Sequence, residues 1–343
     1  MTHDEGTPLR PRTLAWVSQH LRSGERIVRA ETLHGGITAD VRRLTIGAPH
    51  GGTRHLVLRS FVDAHRVRYA ADWLGRESGA LTLLTATGVS APELVAVDPT
   101  ATYCEYPALL MTHLAGRTAL HDEGLEARVP LLARQLVAIH AVRPIEPPRT
   151  YATLTTADTV VVPEGADAAM WAAAVDVIRE PAPPYEGRFL HRDFQPGNVL
   201  FDVPATPSAP PTRPAPPSPS TPLAPPHPPV PSAGVRISGV VDWAGASWGP
   251  ADLDVAHCST TLALLHGPTW GLRFTAAYEE AGGVLAAATG ERRYWQVRDA
   301  LAASEEVQPV ARAWREAGRP ELTDRVVAER LDGYLAAVLD ALS

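Results

Sequence analysis

An α+β, bilobal fold with a β-rich N-lobe and a mainly helical C-lobe is what the sequence predicts, on three observations. Residues 1–115 carry short β-branched runs between turns, around a single long helical stretch. After Gly116 the apolar spacing turns helical. Within that second part stands FLHRDFQPGNVLFD, Phe189 to Asp202, with Asp193 and Asn198 five places apart between two apolar runs.

The elements follow in order. Arg12 to Leu21 has the spacing of a short amphipathic helix. RIVRAETLHGGITADVRRLTIG and RHLVLRSFV read as strands, with Gly35 and Gly36 dividing the first segment as a hairpin turn would. Val67 to Thr87 is helical, with Leu74, Leu81 and Leu84 on or near one face, and Gly88 and Pro92 mark its end. ELVAVD and PALLMTHL read as strands. Glu126 to Ala141, with Val129, Leu132, Leu136 and Ile139 at core spacing, predicts a helix, as does Ala166 to Ile178. The quoted stretch and RISGVVDW then form the two sides of a hairpin. Between them, residues 203–234 hold 14 of the 33 prolines. Proline removes a backbone donor and disfavours the α region before it, so this segment predicts a disordered or polyproline II insertion at the hairpin tip. From Asp252 onward the pattern is mainly helical. The expected division is a 1–115 N-lobe and a 116–343 C-lobe with the 203–234 insertion inside it.

Composition narrows the function. A net charge of −7 with the two signs interspersed argues against a nucleic-acid binder. Two cysteines, Cys104 and Cys258, cannot build a disulfide framework. With no signal-peptide-like start and no apolar run of membrane-spanning length, the expectation is a cytoplasmic protein without a membrane partner. The chain contains no lysine, which excludes Schiff-base chemistry, pyridoxal phosphate attachment and a Walker-type phosphate loop.

Read singly, Asp193 and Asn198 are turn residues and Gly35–Gly36 is a hairpin turn. Together with Asp242, at the end of the opposite hairpin strand, they suit transfer of a γ-phosphoryl group to a hydroxyl. Such chemistry needs a carboxylate to orient and deprotonate the nucleophile, here Asp193. It also needs hard oxygen ligands for a divalent metal, here Asn198 and Asp242.

These residues carry a resemblance. LHRDFQPGNVLFD with VVDW resembles the small-molecule kinases of the aminoglycoside phosphotransferase and choline kinase type, within the protein-kinase-like superfamily. HGGITADVRRL is similar to that family's nucleotide-loop hairpin, ALLMTHLAG to its hinge and GPADLDVAH to its G-x-x-x-x-D-L-A segment. The likeness runs from about Glu31 to His257, with the insertion left out. It implies ATP and Mg²⁺ as cofactors and a small-molecule hydroxyl as acceptor. It further implies Asp193 as base, Asn198 and Asp242 as metal ligands, and a phosphate-positioning pair of Arg59 with Glu77. Gly35, Gly36 and Thr38 would approach the phosphates, Val57 would roof the adenine, and the backbone near Met111 and His113 would bond its edge. His191 and Asp254 would support the catalytic loop.

Arg192 stands where the family has glycine, and the few residues from Asp242 to Gly249 leave no room for an activation loop, which favours a small acceptor over a protein. Glu305, Glu306, Glu316, Glu321 and Asp324 form either a solvated helix face or an acidic pocket, and an acidic pocket would suit an aminoglycoside-type antibiotic. Choline, another amino alcohol, homoserine or a sugar are alternatives, as is a non-catalytic nucleotide-binding scaffold. P-x-x-P spacings such as Pro211 to Pro214 would fit an SH3-like partner, although a tolerated low-complexity spacer is the simpler reading.

Overall fold

The structure, a computed structural model, describes residues 9–33, 39–202 and 235–341. Its N-terminal part is a five-stranded antiparallel sheet of β1 (Arg26–Thr32), β2 (Asp40–Gly47), β3 (Thr53–Ser60), β4 (Leu94–Asp98) and β5 (Ala108–Thr112), in the order β1-β2-β3-β5-β4. Strand alternation sorts β3 between two cores. Leu56 and Leu58 pack with Leu44, Ile46 and Leu110 against Trp16 and Val17 of helix α1 (Pro11–Gln19). Val57 faces the other way with Leu109 and Met111, toward Leu74 and Leu81 of helix α2 (Ala64–Leu84). Helix α2 starts three residues earlier than its apolar spacing predicts. Asp63 caps it, accepting from the His65 and Arg66 N–H groups and so satisfying two of its orphan donors.

The C-terminal part contains α3 (Leu125–His140) and α4 (Ala168–Arg179), then β6 (Arg188–Leu190) and β7 (Val199–Asp202). After the insertion come β8 (Arg236–Val240), β9 (Ser247–Gly249) and the helices α5 (Ala251–His266), α6 (Pro268–Glu280), α7 (Thr289–Ala303), α8 (Val307–Glu316) and α9 (Asp324–Ala341). Strand β6 pairs with β9, and β7 with β8. The β7–β8 register closes on Asp202 opposite Arg236, so the two ends of the proline-rich segment meet at a paired strand end. The segment itself lies outside the described residues.

This hairpin is tied to the connection between the two parts. The Arg117 N–H donates to Phe201 C=O at 3.1 Å, and the Phe201 N–H returns to Arg117 C=O at 2.9 Å. Ser238 Oγ donates to Ala115 C=O at 2.6 Å, while Ser90 Oγ and C=O hold the backbone of Ser238 and Val240. Gly116 has φ +113°, and a Cβ there would sit 2.9 Å from Phe201 C=O, so only glycine fits the crossing. Among the described residues no helix is long and apolar enough to cross a membrane.

Candidate active site

The loop after β6 is built from below by one buried carboxylate. Asp254, in the first turn of α5, accepts the His191 N–H at 2.7 Å and the Arg192 N–H at 2.8 Å. Its Oδ2 also meets His140 Nε2 at 3.2 Å, and His140 Nδ1 lies 2.7 Å from the Tyr278 hydroxyl. Burial raises the Asp254 carboxyl, but the His140 hydrogen bond and the surrounding positive charge bring it down to about 2. His191 is fully buried, and desolvation lowers its pKa. Its Nε2 donates to Val241 C=O at 3.1 Å, and its Nδ1 accepts the Asp193 N–H at 3.2 Å. Held this way the loop puts Arg192 at φ +70°, with its guanidinium Nη1 buried and unpartnered among the described residues.

Asp193 opens to solvent, with a side chain 41% exposed, yet it is fixed at both oxygens. Oδ1 accepts Gln195 Nε2 at 2.8 Å and His257 Nε2 at 3.1 Å. Oδ2 accepts Asn198 Nδ2 at 2.8 Å. His257 Nδ1 in turn meets Asp299 Oδ1 at 3.3 Å. Burial opposes charge on both partners. The contact nevertheless holds the Asp193 carboxyl below its ordinary range, while Asp299 and Asp193 push His257 up to about 10.

Across the hairpin, the Val241 N–H bonds Asn198 C=O at 2.9 Å, which sets Asp242 beside Asn198 in the chain path. Asp242 adopts φ +64° and reaches back to β3, where Arg59 Nη1 contacts its Oδ1 at 2.7 Å. The same Nη1 lies 3.1 and 3.0 Å from the two Glu77 oxygens on α2. Arg59 and Glu77 are buried. Desolvation works against the guanidinium charge, but Glu77 and Asp242 hold its pKa above the ordinary value.

The two proposed metal ligands fit a hard cation. Asn198 gives its side-chain amide nitrogen to Asp193, leaving its side-chain Oδ1 with no partner among the described residues. Asp242 adds a carboxylate whose side chain is 33% exposed. Among the described residues no three His, Cys, Asp or Glu side chains gather as a metal cage, so further ligands would be water or substrate oxygens.

Two expectations need correction. Met111 lies inside the sheet opposite both Val57 and Leu94, and the His113 N–H donates to His55 C=O at 3.3 Å. Their N–H groups belong to the ladder and are not available to a base edge. Leu114, the next residue, has no backbone partner among the described residues. The acidic residues of the C-terminal helices do not assemble into a pocket. Glu321 pairs with Arg319 and Asp324 with Arg315, while Glu305 and Glu306 are exposed. Gly35, Gly36 and Thr38 lie outside the described residues.

Sequence reasoning also passed over His257, Asp299 and the contact of His140 with Asp254. One signal was present for His257: it follows Asp254 by three places, so both lie on one face of α5. Nothing local marks Asp299, 42 residues further on in α7.

The phosphotransferase enzyme family (APH) matches residues 29–208. No curated protein was found to match the sequence. Among solved structures, aminoglycoside phosphotransferase APH(4)-Ia is 16% identical, with a TM-score of 0.56 over 96% of this chain and 98% of that one. A thermostable variant of it, in ternary complex with AMP-PNP and hygromycin B, is 15% identical, with a TM-score of 0.57 over 97% and 99%. Macrolide 2'-phosphotransferase type I is 16% identical, with a TM-score of 0.54 over 98% and 99%. At these identities the likeness is one of fold, and the protein-kinase-like bilobal architecture is shared. With more than half of its length matched, the chain belongs to the phosphotransferase enzyme family and is a small-molecule phosphotransferase with an alcohol group as acceptor.

Proposed function

We propose that the enzyme moves the γ-phosphoryl group of ATP, with Mg²⁺, to a hydroxyl of a small molecule. The observation that carries this reading is the meeting of three distant segments at one cleft. Asp193 and Asn198 share a hydrogen bond, and Asp242 is joined to Arg59, which is joined to Glu77. The acceptor oxygen forms the new bond to phosphorus, the β–γ bridge bond breaks, and ADP leaves with the electron pair. Asp193 orients the acceptor hydroxyl and receives its proton. Arg59, steadied by Glu77, presents its guanidinium to phosphate oxygens, a planar fork suited to them. Asn198 and Asp242 would hold Mg²⁺, which supplies charge neutralisation at the phosphates. Val57 and Met111 offer apolar side chains to the base, and Leu114 a backbone edge with no partner among the described residues. In this reading residues 1–115 bind the nucleotide and 116–343 the acceptor.

Hygromycin B in the related ternary complex makes an aminoglycoside-type antibiotic the first acceptor to try. The arginine pairing of Glu321 and Asp324 removes the acidic pocket that would have favoured a polycation, so amino alcohols, homoserine, sugars and macrolides belong in the same screen. Mass-spectrometric detection of the phosphorylated product tests the reading. Asp193→Ala is expected to slow transfer by at least about 10²-fold, the usual worth of a positioned general base. A mutant as fast as the wild type removes Asp193 from the role. Mg²⁺-dependent thermal stabilisation by ATP with no transfer to any acceptor would favour the scaffold alternative.

A further inference from the structure

We propose that His257 is a positioning residue for the transfer: with Gln195 it saturates Oδ1 of Asp193, so that Oδ2 is the atom offered to the acceptor hydroxyl, and Asp299 sets the imidazole for this task. The inference rests on the reading of Asp193 as the acceptor's base.

A carboxylate oxygen has two in-plane lone pairs. At Oδ1 both are engaged, by Gln195 Nε2 at 2.8 Å and His257 Nε2 at 3.1 Å. At Oδ2 only Asn198 Nδ2 is present among the described residues, at 2.8 Å, which leaves one lone pair there. Asn198 is also the hairpin residue proposed to touch the metal.

The imidazole is committed at both ends. Asp193 and Asp299 can only accept when ionised, so each ring nitrogen meets an acceptor and both carry hydrogen. Asp299 is 5% exposed on α7 and His257 stands on α5, so two packed helices fix the ring before any substrate arrives. The remaining nearby carboxylate, Asp254, is directed to His140, His191 and Arg192 instead. An imidazolium already carrying both protons cannot take another. Its contribution is to stop the Asp193 carboxylate from turning, so that Oδ2 meets the hydroxyl in a fixed orientation.

The test compares His257→Phe, His257→Gln and Asp299→Asn, with MgATP as phosphoryl donor and water in the acceptor's place, following ADP release. Loss of a group that orients a functional side chain costs about 10–100-fold, so His257→Phe is expected to lower kcat by that factor with KM for ATP unchanged. His257→Gln, which returns a neutral N–H donor toward Oδ1, is expected to recover about tenfold of it. Asp299→Asn is expected to fall between the two. Thermal unfolding of each variant separates folding from positioning. If activity per folded molecule is unchanged in His257→Phe, or if His257→Gln is as slow while folded, the role is refuted. Imidazole ¹⁵N resonances give a readout that needs no turnover. Wild-type His257 is expected to show two protonated nitrogens at neutral pH, and Asp193→Asn to move them. Unmoved resonances refute the contact itself. A wild type that moves no phosphate from MgATP to water or to any acceptor defeats the functional reading and the proposal with it, while the resonances still report whether the contact exists.

Discussion

Arg59 is the residue on which charge is most concentrated. One guanidinium nitrogen spans Glu77 and Asp242, and the ion pair with Glu77 is almost fully desolvated. Truncating one member of a buried pair strands the other, so Arg59→Ala is expected to cost about 3–5 kcal/mol in urea unfolding. Arg59→Lys is expected to cost less, but a single ammonium cannot reproduce the fork, and KM for ATP should rise. His257 adds a pH dependence of definite sign. Its pKa is raised from 6.5 to about 10, so the stability it contributes is full below the ordinary value and lost as pH climbs through about 10. The melting-temperature advantage of wild type over His257→Gln should therefore shrink steadily from about pH 6.5 to about pH 10. An advantage that stayed flat over this range would mean the imidazole is neutral in the fold.

At the scale of elements, helix α6 crosses α5 closely because Gly271 has no side chain: a Cβ there would stand 2.5 Å from Ser259 C=O. Gly271→Ala must part the helices, and a loss of about 1–3 kcal/mol is expected, readable as a lower unfolding midpoint. Helix α5 also supplies both Asp254 and His257, so the same change should depress kcat beyond what unfolding explains. The elements themselves were legible because strand and helix periods are local properties. Leu56 and Leu58 against Val57, or Val129, Leu132 and Leu136, declare their faces within a few residues. Asp193, Asn198 and Asp242 were legible because they sit on one hairpin. What the sequence concealed is contact between elements far apart in the chain. Arg59 meets Asp242 across 183 positions, and His257 meets Asp299 across a helix connection. The fate of the Met111 and His113 backbone depended on where β5 ends and which strands flank it, a matter of register that propensity does not specify. The C-terminal acidic residues could be read either as a pocket or as a solvated face, because pairing with Arg315 and Arg319 is settled by packing, not by composition.

For the molecule as a whole, the proline-rich segment joins two strand ends that are already partners, Asp202 and Arg236. Replacing residues 203–235 by a four-residue turn is expected to leave kcat within about twofold, since no paired residue of β7 or β8 is touched. Closing a shorter connection costs less entropy, and three halvings in length, at about 0.6 kcal/mol each, would raise stability by about 2 kcal/mol. A large loss of activity would instead assign the insertion a part in the reaction. The stitches from Arg117 to Phe201 and from Ala115 through Ser238 to Ser90 have a mechanical consequence. The crossover is no free swivel. Whatever the sheet grips must travel in one frame with the strand pair that begins beside Asn198 and ends just short of Asp242.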